Sequence, residues 1–358
     1  MTGKTLAVVY ATDGFSRHFL DEEAKREYAA LEQAIGGWVT IEDQSLDRRL
    51  VIVSASSDTQ PTSHHLYDRS KREAHALFSE HPELSAARLS AWQTLRYPAR
   101  DGAEIPAYLT LPPGAERHLP VIVLVHGGPH ERVVRAWDPE VQFLASRGFV
   151  VFQPNFRGSD GYGQAFREAG YRQWGLAMQD DVTDGVRWLI GQGIADPQRI
   201  GIYGASYGGY AALMGLVKTP ELFRAGASYA GIASIPLMLA DDEWYLFDEY
   251  NKPTVGGGWD DRERLAETSP LENVGRIRAP VLLGHGENDP RVHVKQSQKM
   301  AEALREVGKA VEYLEFEHEA HGFLLEANRI RWYDRLAAFF AEHLAPPEAP
   351  APRAAPIP

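Results

Sequence analysis

Arg199-Ile-Gly-Ile-Tyr-Gly-Ala-Ser206-Tyr-Gly-Gly-Tyr-Ala-Ala-Leu-Met214 reads as a short apolar strand, a serine set between glycines and the start of an Ala-rich helix. Strand, sharp turn and helix in that order make a nucleophile elbow. A serine hydroxyl is a poor nucleophile until a base takes its proton, so it must project from a turn too tight to shield it. Gly204 and Gly208, two residues either side of Ser206, have no Cβ and leave space for that turn. The bare Gly-x-Ser-x-Gly string also occurs in ordinary turns. The strand before it and the helix after it set this one apart.

Outward from the elbow, strands and helices alternate. Strands are expected at Leu95 to Ala99, Ile105 to Leu111, Val121 to Val125, Phe149 to Pro154, Arg199 to Tyr203, Ala225 to Tyr229, Val281 to Leu283 and Val311 to Phe316. Helices are expected at Ala136 to Arg147, Gln179 to Gln192, Tyr207 to Lys218, Val294 to Val307 and Ala327 to Leu344. Val182, Val186, Leu189 and Ile190 fall at helical spacing, so one face of their helix packs on the sheet. The expected fold class is therefore α/β, a mostly parallel sheet with helices on both faces and its active site beyond the C-terminal strand ends.

Residues 1–92 form a separate β-rich segment, with strands expected at Thr5 to Tyr10, Trp38 to Ile41, Arg49 to Ser54 and His64 to Asp68 and a charged helix around Asp21 to Ile35. The α/β unit then occupies 93–344. The tail Ala345 to Pro358, with six prolines, is expected to be an extended or disordered appendage. A long insert, Ala230 to Arg278, carries Trp244, Tyr245, Phe247, Tyr250 and Trp259. It is either a satellite hydrophobic cluster or a wall of the substrate pocket, and Trp244 and Trp259 are its candidate substrate-binding residues.

The 358 residues, 44% apolar and 24% charged, have ample chain for a sizeable core. A formal charge of -12 and a pI near 5.6 argue against nucleic acid or an anionic membrane as partner, since either needs a basic face. Cysteine is absent, which removes disulfides, thiolate metal ligands and a thiol nucleophile. The apolar run Leu6 to Tyr10 is too short for a secretory signal, and a cytoplasmic location is the expectation.

If Ser206 is the nucleophile, an imidazole must take its proton and a carboxylate must hold that imidazole, acid before base along the chain. The strand at Val281 leads into Gly284-His-Gly-Glu-Asn-Asp289-Pro-Arg-Val, and the strand at Val311 into Glu317-His-Glu-Ala-His321-Gly-Phe. Asp289 is preferred to Glu287, Asp260 and Asp261 because it stands further out along its loop, where it can reach an imidazole. His321 is preferred to His318 because Gly322 after it allows a sharp turn. The oxyanion needs preorganised donors. The backbone N–H of Tyr207 is one, and the loop after an earlier strand, in Val121-Ile-Val-Leu-Val-His126-Gly-Gly128-Pro129-His130, supplies the other. His126 and His130 lack nearby carboxylates, so no metal is expected, and no cofactor. Asn155-Phe-Arg157-Gly-Ser-Asp-Gly-Tyr-Gly163 lacks the spacing of a nucleotide loop. Arg157 either binds a substrate carbonyl or carboxylate, or forms a structural ion pair.

Together, His126-Gly-Gly-Pro129, Asn155 to Gly163, Gly204-Ala-Ser-Tyr-Gly-Gly209, Asn288-Asp-Pro-Arg-Val292 and His321-Gly-Phe323 resemble the catalytic domain of the prolyl oligopeptidase family, nearest its acylaminoacyl-peptidase-like branch. The resemblance covers Leu95 to Leu344. It implies an α/β-hydrolase fold, a Ser206–Asp289–His321 triad, and Tyr207 and Gly128 as backbone oxyanion donors. Ser45 to Ala55 and Ser57 to Asp68 resemble the end of the family's propeller, of which the chain has room for at most two blades' worth.

A serine hydrolase is thus expected, working on a small ester or short peptide. Without a closed propeller, a carboxylesterase for short-chain esters is the leading expectation and an acylaminoacyl- or oligopeptidase the alternative. A catalytically silent interaction module is the reading from a different class. Unpaired strand edges in residues 1–92 predict a homo-oligomer built through that segment.

Overall fold

The computed structural model describes residues 4–85, 87, 89–114, 117–241, 252–257 and 261–345. Its strands are β1 Ala7–Ala11, β2 Phe15–Phe19, β3 Trp38–Gln44, β4 Leu50–Ser57, β5 Gln60–Asp68, β6 Glu73–Ser79, β7 Trp92–Pro98, β8 Glu104–Thr110, β9 Leu119–Val125, β10 Val150–Pro154, β11 Ala195–Ala205, β12 Ala225–Tyr229, β13 Val281–Gly286 and β14 Val311–Phe316. Five strands run in the order β14-β13-β12-β11-β9 and three in the order β10-β8-β7. Packing divides the chain into two compact units, one of Met1–Glu116, His126–Gly185 and Glu249–Gly256, the other of Arg117–Val125, Val186–Asp248 and Gly257–Pro358.

In the second unit β14, β13, β12, β11 and β9 pair in parallel throughout. Such strands are buried on both faces and read as continuous apolar runs. Val121 to Val125 and Val281 to Leu283 are such runs, and all their side chains are buried. The helices Tyr207–Lys218, Lys295–Glu306 and Glu326–His343 pack against them. Trp332, Leu336, Phe339 and Phe340 form the buried stripe of the last helix. Gly284 on β13 is required there, because a Cβ would lie 2.5 Å from the Trp332 ring.

In the first unit β10, β8 and β7 pair antiparallel. A separate four-stranded antiparallel sheet, β3-β4-β5-β6, is the kind of unit from which propeller blades are built. Val39, Val51, Val53, Ala55 and Tyr67 close one core against Leu31 of the helix Glu22–Ile35. That helix starts where Asp21 accepts hydrogen bonds from the N–H groups of Glu23 and Ala24. The ribbon β1–β2 is the third sheet.

The N-terminal segment is tied down by polar contacts within this unit. Asp58 accepts from the Trp92 N–H at 2.9 Å, and Gln142 Nε2 donates to the carbonyls of Asp58 and Ser90. Arg132 donates to the carbonyls of Ala11 and Thr12 and to the Tyr162 hydroxyl.

Candidate active site

β11 delivers Ser206 into the left-handed region, with φ 58° and ψ -123°. A residue with a Cβ is strained there, a feature that clusters at active sites. Two backbone bonds hold the strain: the Ser206 N–H donates to the Tyr229 carbonyl at 3.0 Å, and the Ser206 carbonyl accepts from the Tyr210 N–H at 3.1 Å. Gly204 makes the turn passable, since a Cβ would lie 2.5 Å from the Gly208 carbonyl carbon and 2.6 Å from the Val125 carbonyl oxygen. The first residue of the following helix, Tyr207, presents its N–H at the helix's positive end.

Because β11, β12, β13 and β14 are parallel neighbours, their C-terminal ends share one edge of the sheet. At about 4.8 Å per strand, the loops after β13 and β14 must reach across roughly 10 and 14 Å to arrive beside β11. Asp289 stands three residues beyond β13 and His321 five beyond β14, and at about 3.4 Å per residue these lengths suffice. The structure brings the two together: His321 Nδ1 lies 2.7 Å from Asp289 Oδ2. A carboxylate only accepts, so the proton is on Nδ1 and Nε2 is left as the base.

Asp289 Oδ1 accepts from the N–H groups of Arg291 and Val292 at 2.8 and 3.0 Å. Burial alone would raise its pKa. The hydrogen bonds from His285, His321 and the Val292 N–H prevail and hold it well below the usual carboxylate range. The rivals go elsewhere. Glu287 and His318 are exposed, Asp261 pairs with Arg264 at 3.1 Å, and Asp260 lies outside the described residues. His285 was not foreseen. Fully buried, it sets Nε2 2.8 Å from the Val292 carbonyl and 3.3 Å from Asp289 Oδ2, with Nδ1 2.7 Å from Ser297 Oγ.

The loop after β9 is built for close backbone approach. Gly128 has φ 114°, and a Cβ on it would lie 2.6 Å from the Glu131 nitrogen. His126 Nδ1 donates to the Gly127 carbonyl at 2.7 Å, and that carbonyl shares a peptide plane with the Gly128 N–H. The imidazole therefore sets the direction of this candidate oxyanion donor. It stacks on Phe156, with ring centroids 4.4 Å apart, and its Nε2 lies 2.9 Å from Ser159 Oγ. Burial pulls the His126 pKa down to about 4 against the opposing pull of the Gly127 carbonyl, so the ring is neutral. His130 Nδ1 donates to the Gly158 carbonyl at 2.6 Å, and burial lowers its pKa too. Among the described residues no cluster of three or more His, Asp or Glu side chains is arranged to hold a metal.

Arg157 forms a structural ion pair, one of its two expected roles. Its Nε and Nη2 donate to Asp181 at 2.8 and 2.7 Å, and Nη1 and Nη2 donate to Asp101 at 2.7 and 3.1 Å. Asp181 is fully buried, so the guanidinium is needed where it is. Asn155 was missed as the other brace of this loop. It accepts from the Val133 N–H and donates to the Val133 carbonyl and the Tyr162 hydroxyl. Trp244 and Trp259, the candidate pocket aromatics, lie outside the described residues.

Residues 135–346 match the family model described as prolyl oligopeptidase family. The chain is 33% identical to dipeptidyl aminopeptidase BIII of Pseudoxanthomonas mexicana over 96% of this chain and 52% of that protein. Among solved structures it resembles a puromycin-hydrolysing peptidase of Mycobacterium tuberculosis, with a TM-score of 0.76 and 33% identity over 84% of this chain and 47% of that one. It also resembles the acylaminoacyl peptidase of Pyrococcus horikoshii, with a TM-score of 0.75 and 28% identity over 87% of this chain and 51% of that one. The chain thus spans about half the length of the relatives it matches. The three are named as peptidases.

Proposed function

The chain belongs to the prolyl oligopeptidase family, and from that premise we propose that it is a serine peptidase that cleaves short peptides through an acyl-enzyme on Ser206. In this reading the Ser206 hydroxyl attacks the scissile carbonyl while His321 Nε2 takes its proton. The Tyr207 and Gly128 N–H groups receive the oxyanion. His321 then returns the proton to the leaving amine, and a water repeats the cycle to release the acyl group.

The observation that carries the reading is the 2.7 Å bond from His321 to Asp289, on the sheet edge where Ser206 sits on its strained elbow. An amide leaves only if its nitrogen is protonated, which demands a held imidazole more than an activated ester does. The relatives' names as peptidases support the same substrate class.

The test sets aminoacyl and acyl-peptide anilides beside p-nitrophenyl esters, with a fluorophosphonate label to count activated serines. Labelling at Ser206 together with turnover of a peptide anilide is the expected result. Labelling with ester turnover alone would restore the carboxylesterase reading, and a wild-type chain that neither labels nor turns over any substrate would sink the serine mechanism.

A further inference from the structure

The loop that carries His321 is closed by a buried acid to which the reaction gives no role. Glu319 is fully buried. Its carboxylate accepts from the N–H groups of Leu324 and Leu325 at 2.6 and 3.0 Å and from Asn328 Nδ2 at 2.9 Å. These partners lie just before and within the first turn of the helix Glu326–His343, where the helix dipole adds to the attraction for a negative charge. Burial opposes the ionised form, yet these bonds hold Glu319 below its ordinary pKa, so it is a carboxylate.

The side chain thus draws residue 319 and residues 324–325 into one ring, with His321 on the arc between them. The main chain of the same residue faces the other loop. Its carbonyl accepts from the Asn288 N–H at 2.9 Å, one residue before Asp289. Gly286 permits that approach, since a Cβ there would lie 2.7 Å from the Glu319 carbonyl oxygen and 2.2 Å from that of Ala320. At the far end of the arc Phe323 packs against Tyr229 and Phe316, with ring centroids 4.6 and 5.2 Å away.

We propose that Glu319 is a positioning residue for His321: its carboxylate fixes the 319–325 arc while its carbonyl fixes that arc to the Asp289 loop, so that one residue sets the register of imidazole on carboxylate. A simple helix cap would need only the contacts to the helix start. The bond to Asn288 is what couples the cap to the acid. The proposal rests on His321 being the base, and the controls separate the two claims.

The full chain is compared with Glu319→Gln and Asn328→Ala, the second removing one partner of the carboxylate at the helix surface. Wild type must label with fluorophosphonate and turn over substrate; if it does not, the proposed mechanism itself has failed. With that in hand, Glu319→Gln is expected to stay folded by circular dichroism. Its kcat should fall roughly 10- to 100-fold, the scale of a sub-ångström to 1 Å misplacement, with KM within about threefold of wild type. The far-downfield proton resonance of His321 Nδ1–H should be lost or broadened. Asn328→Ala should show the same pattern more weakly, with kcat down roughly two- to fivefold. A lower melting temperature with unchanged kcat per folded enzyme and an unchanged downfield resonance would overturn the proposal. Should Glu319→Gln fail to fold, Asn328→Ala decides by the same two readouts.

Discussion

His321 Nδ1 and Asp289 Oδ2 are 2.7 Å apart, and the same carboxylate is held from behind by two backbone N–H groups and by His285. The acid is therefore a fixed acceptor and dictates which imidazole nitrogen keeps its proton. Asp289→Asn would present an amide that favours the wrong tautomer, and kcat is expected to fall roughly 10⁴-fold. Glu287→Gln, on an exposed neighbour, should leave turnover near wild type. Steady-state kinetics on both variants check the assignment, and the reverse pattern would move the acid to Glu287.

Ser206→Ala and His321→Ala should each lower kcat by roughly 10⁴ to 10⁶, and the double variant scarcely further, because such residues act as a unit. The fold should survive. Ser206→Ala also removes no buried partner, so its melting temperature should match or exceed that of wild type. A double variant whose loss is the product of the single losses would contradict a shared mechanism.

His126→Ala frees the Gly127–Gly128 peptide to rotate, and with it one candidate oxyanion donor. The expected cost is about 10²–10³ in kcat, the scale for removing one such donor, with a smaller change in KM. Wild-type kcat in this variant would show that the Gly128 N–H takes no part.

The same histidine predicts an acid dependence of stability. Folded His126 takes its proton only near pH 4, while the unfolded chain takes it near 6.5, so between those values the unfolded state binds more protons. Its contribution is complete above about pH 6.5 and is lost as the pH falls towards 4. The loss is on the order of 3 kcal/mol when complete. Thermal melts across that window should decline less steeply in His126→Ala than in wild type; parallel declines would remove His126 as a cause.

Arg157→Ala leaves Asp181 buried without its guanidinium, an imbalance worth about 3–5 kcal/mol. A marked drop in melting temperature is expected, with KM of the remaining folded enzyme unchanged. A raised KM at unaltered stability would return Arg157 to the substrate.

What the sequence revealed followed chemistry that is local along the chain. Ala225–Tyr229, Val311–Phe316 and the helix Tyr207–Lys218 begin and end where their residues indicate, since an apolar run between polar turns or an Ala-rich stretch after a glycine turn carries its own boundaries. β2, Phe-Ser-Arg-His-Phe, and β6, Glu-Ala-His-Ala-Leu-Phe-Ser, escaped notice because half-exposed strands need no apolar run. Their pairing with β1 and β5 makes them strands. The helix expected from Ala136 starts at Pro139, because Asp138 caps it there. At the site, Ser206, Asp289 and His321 could be proposed from their places after strands. The ion-pair partner of Arg157 and the parts played by His285 and Glu319 could not, because they depend on contacts with Asp181, Ser297 and Leu324 that no spacing rule reveals.

The hold of Arg132 on Ala11 also bears on the order in which the protein is made. The two residues are 121 positions apart. The β1–β2 ribbon first packs on residues made soon after it, Phe15 on Trp38 and Phe19 on Tyr28, and a ribosome extending the chain at about 5–20 residues per second adds the Arg132 contact several seconds later. Through that interval the ribbon carries Val8, Val9, Tyr10 and Phe15 on its exposed surface, an invitation to mispairing with another nascent chain. That contact is thus secured only by a segment made later, and the hazard to yield lies in that interval of synthesis.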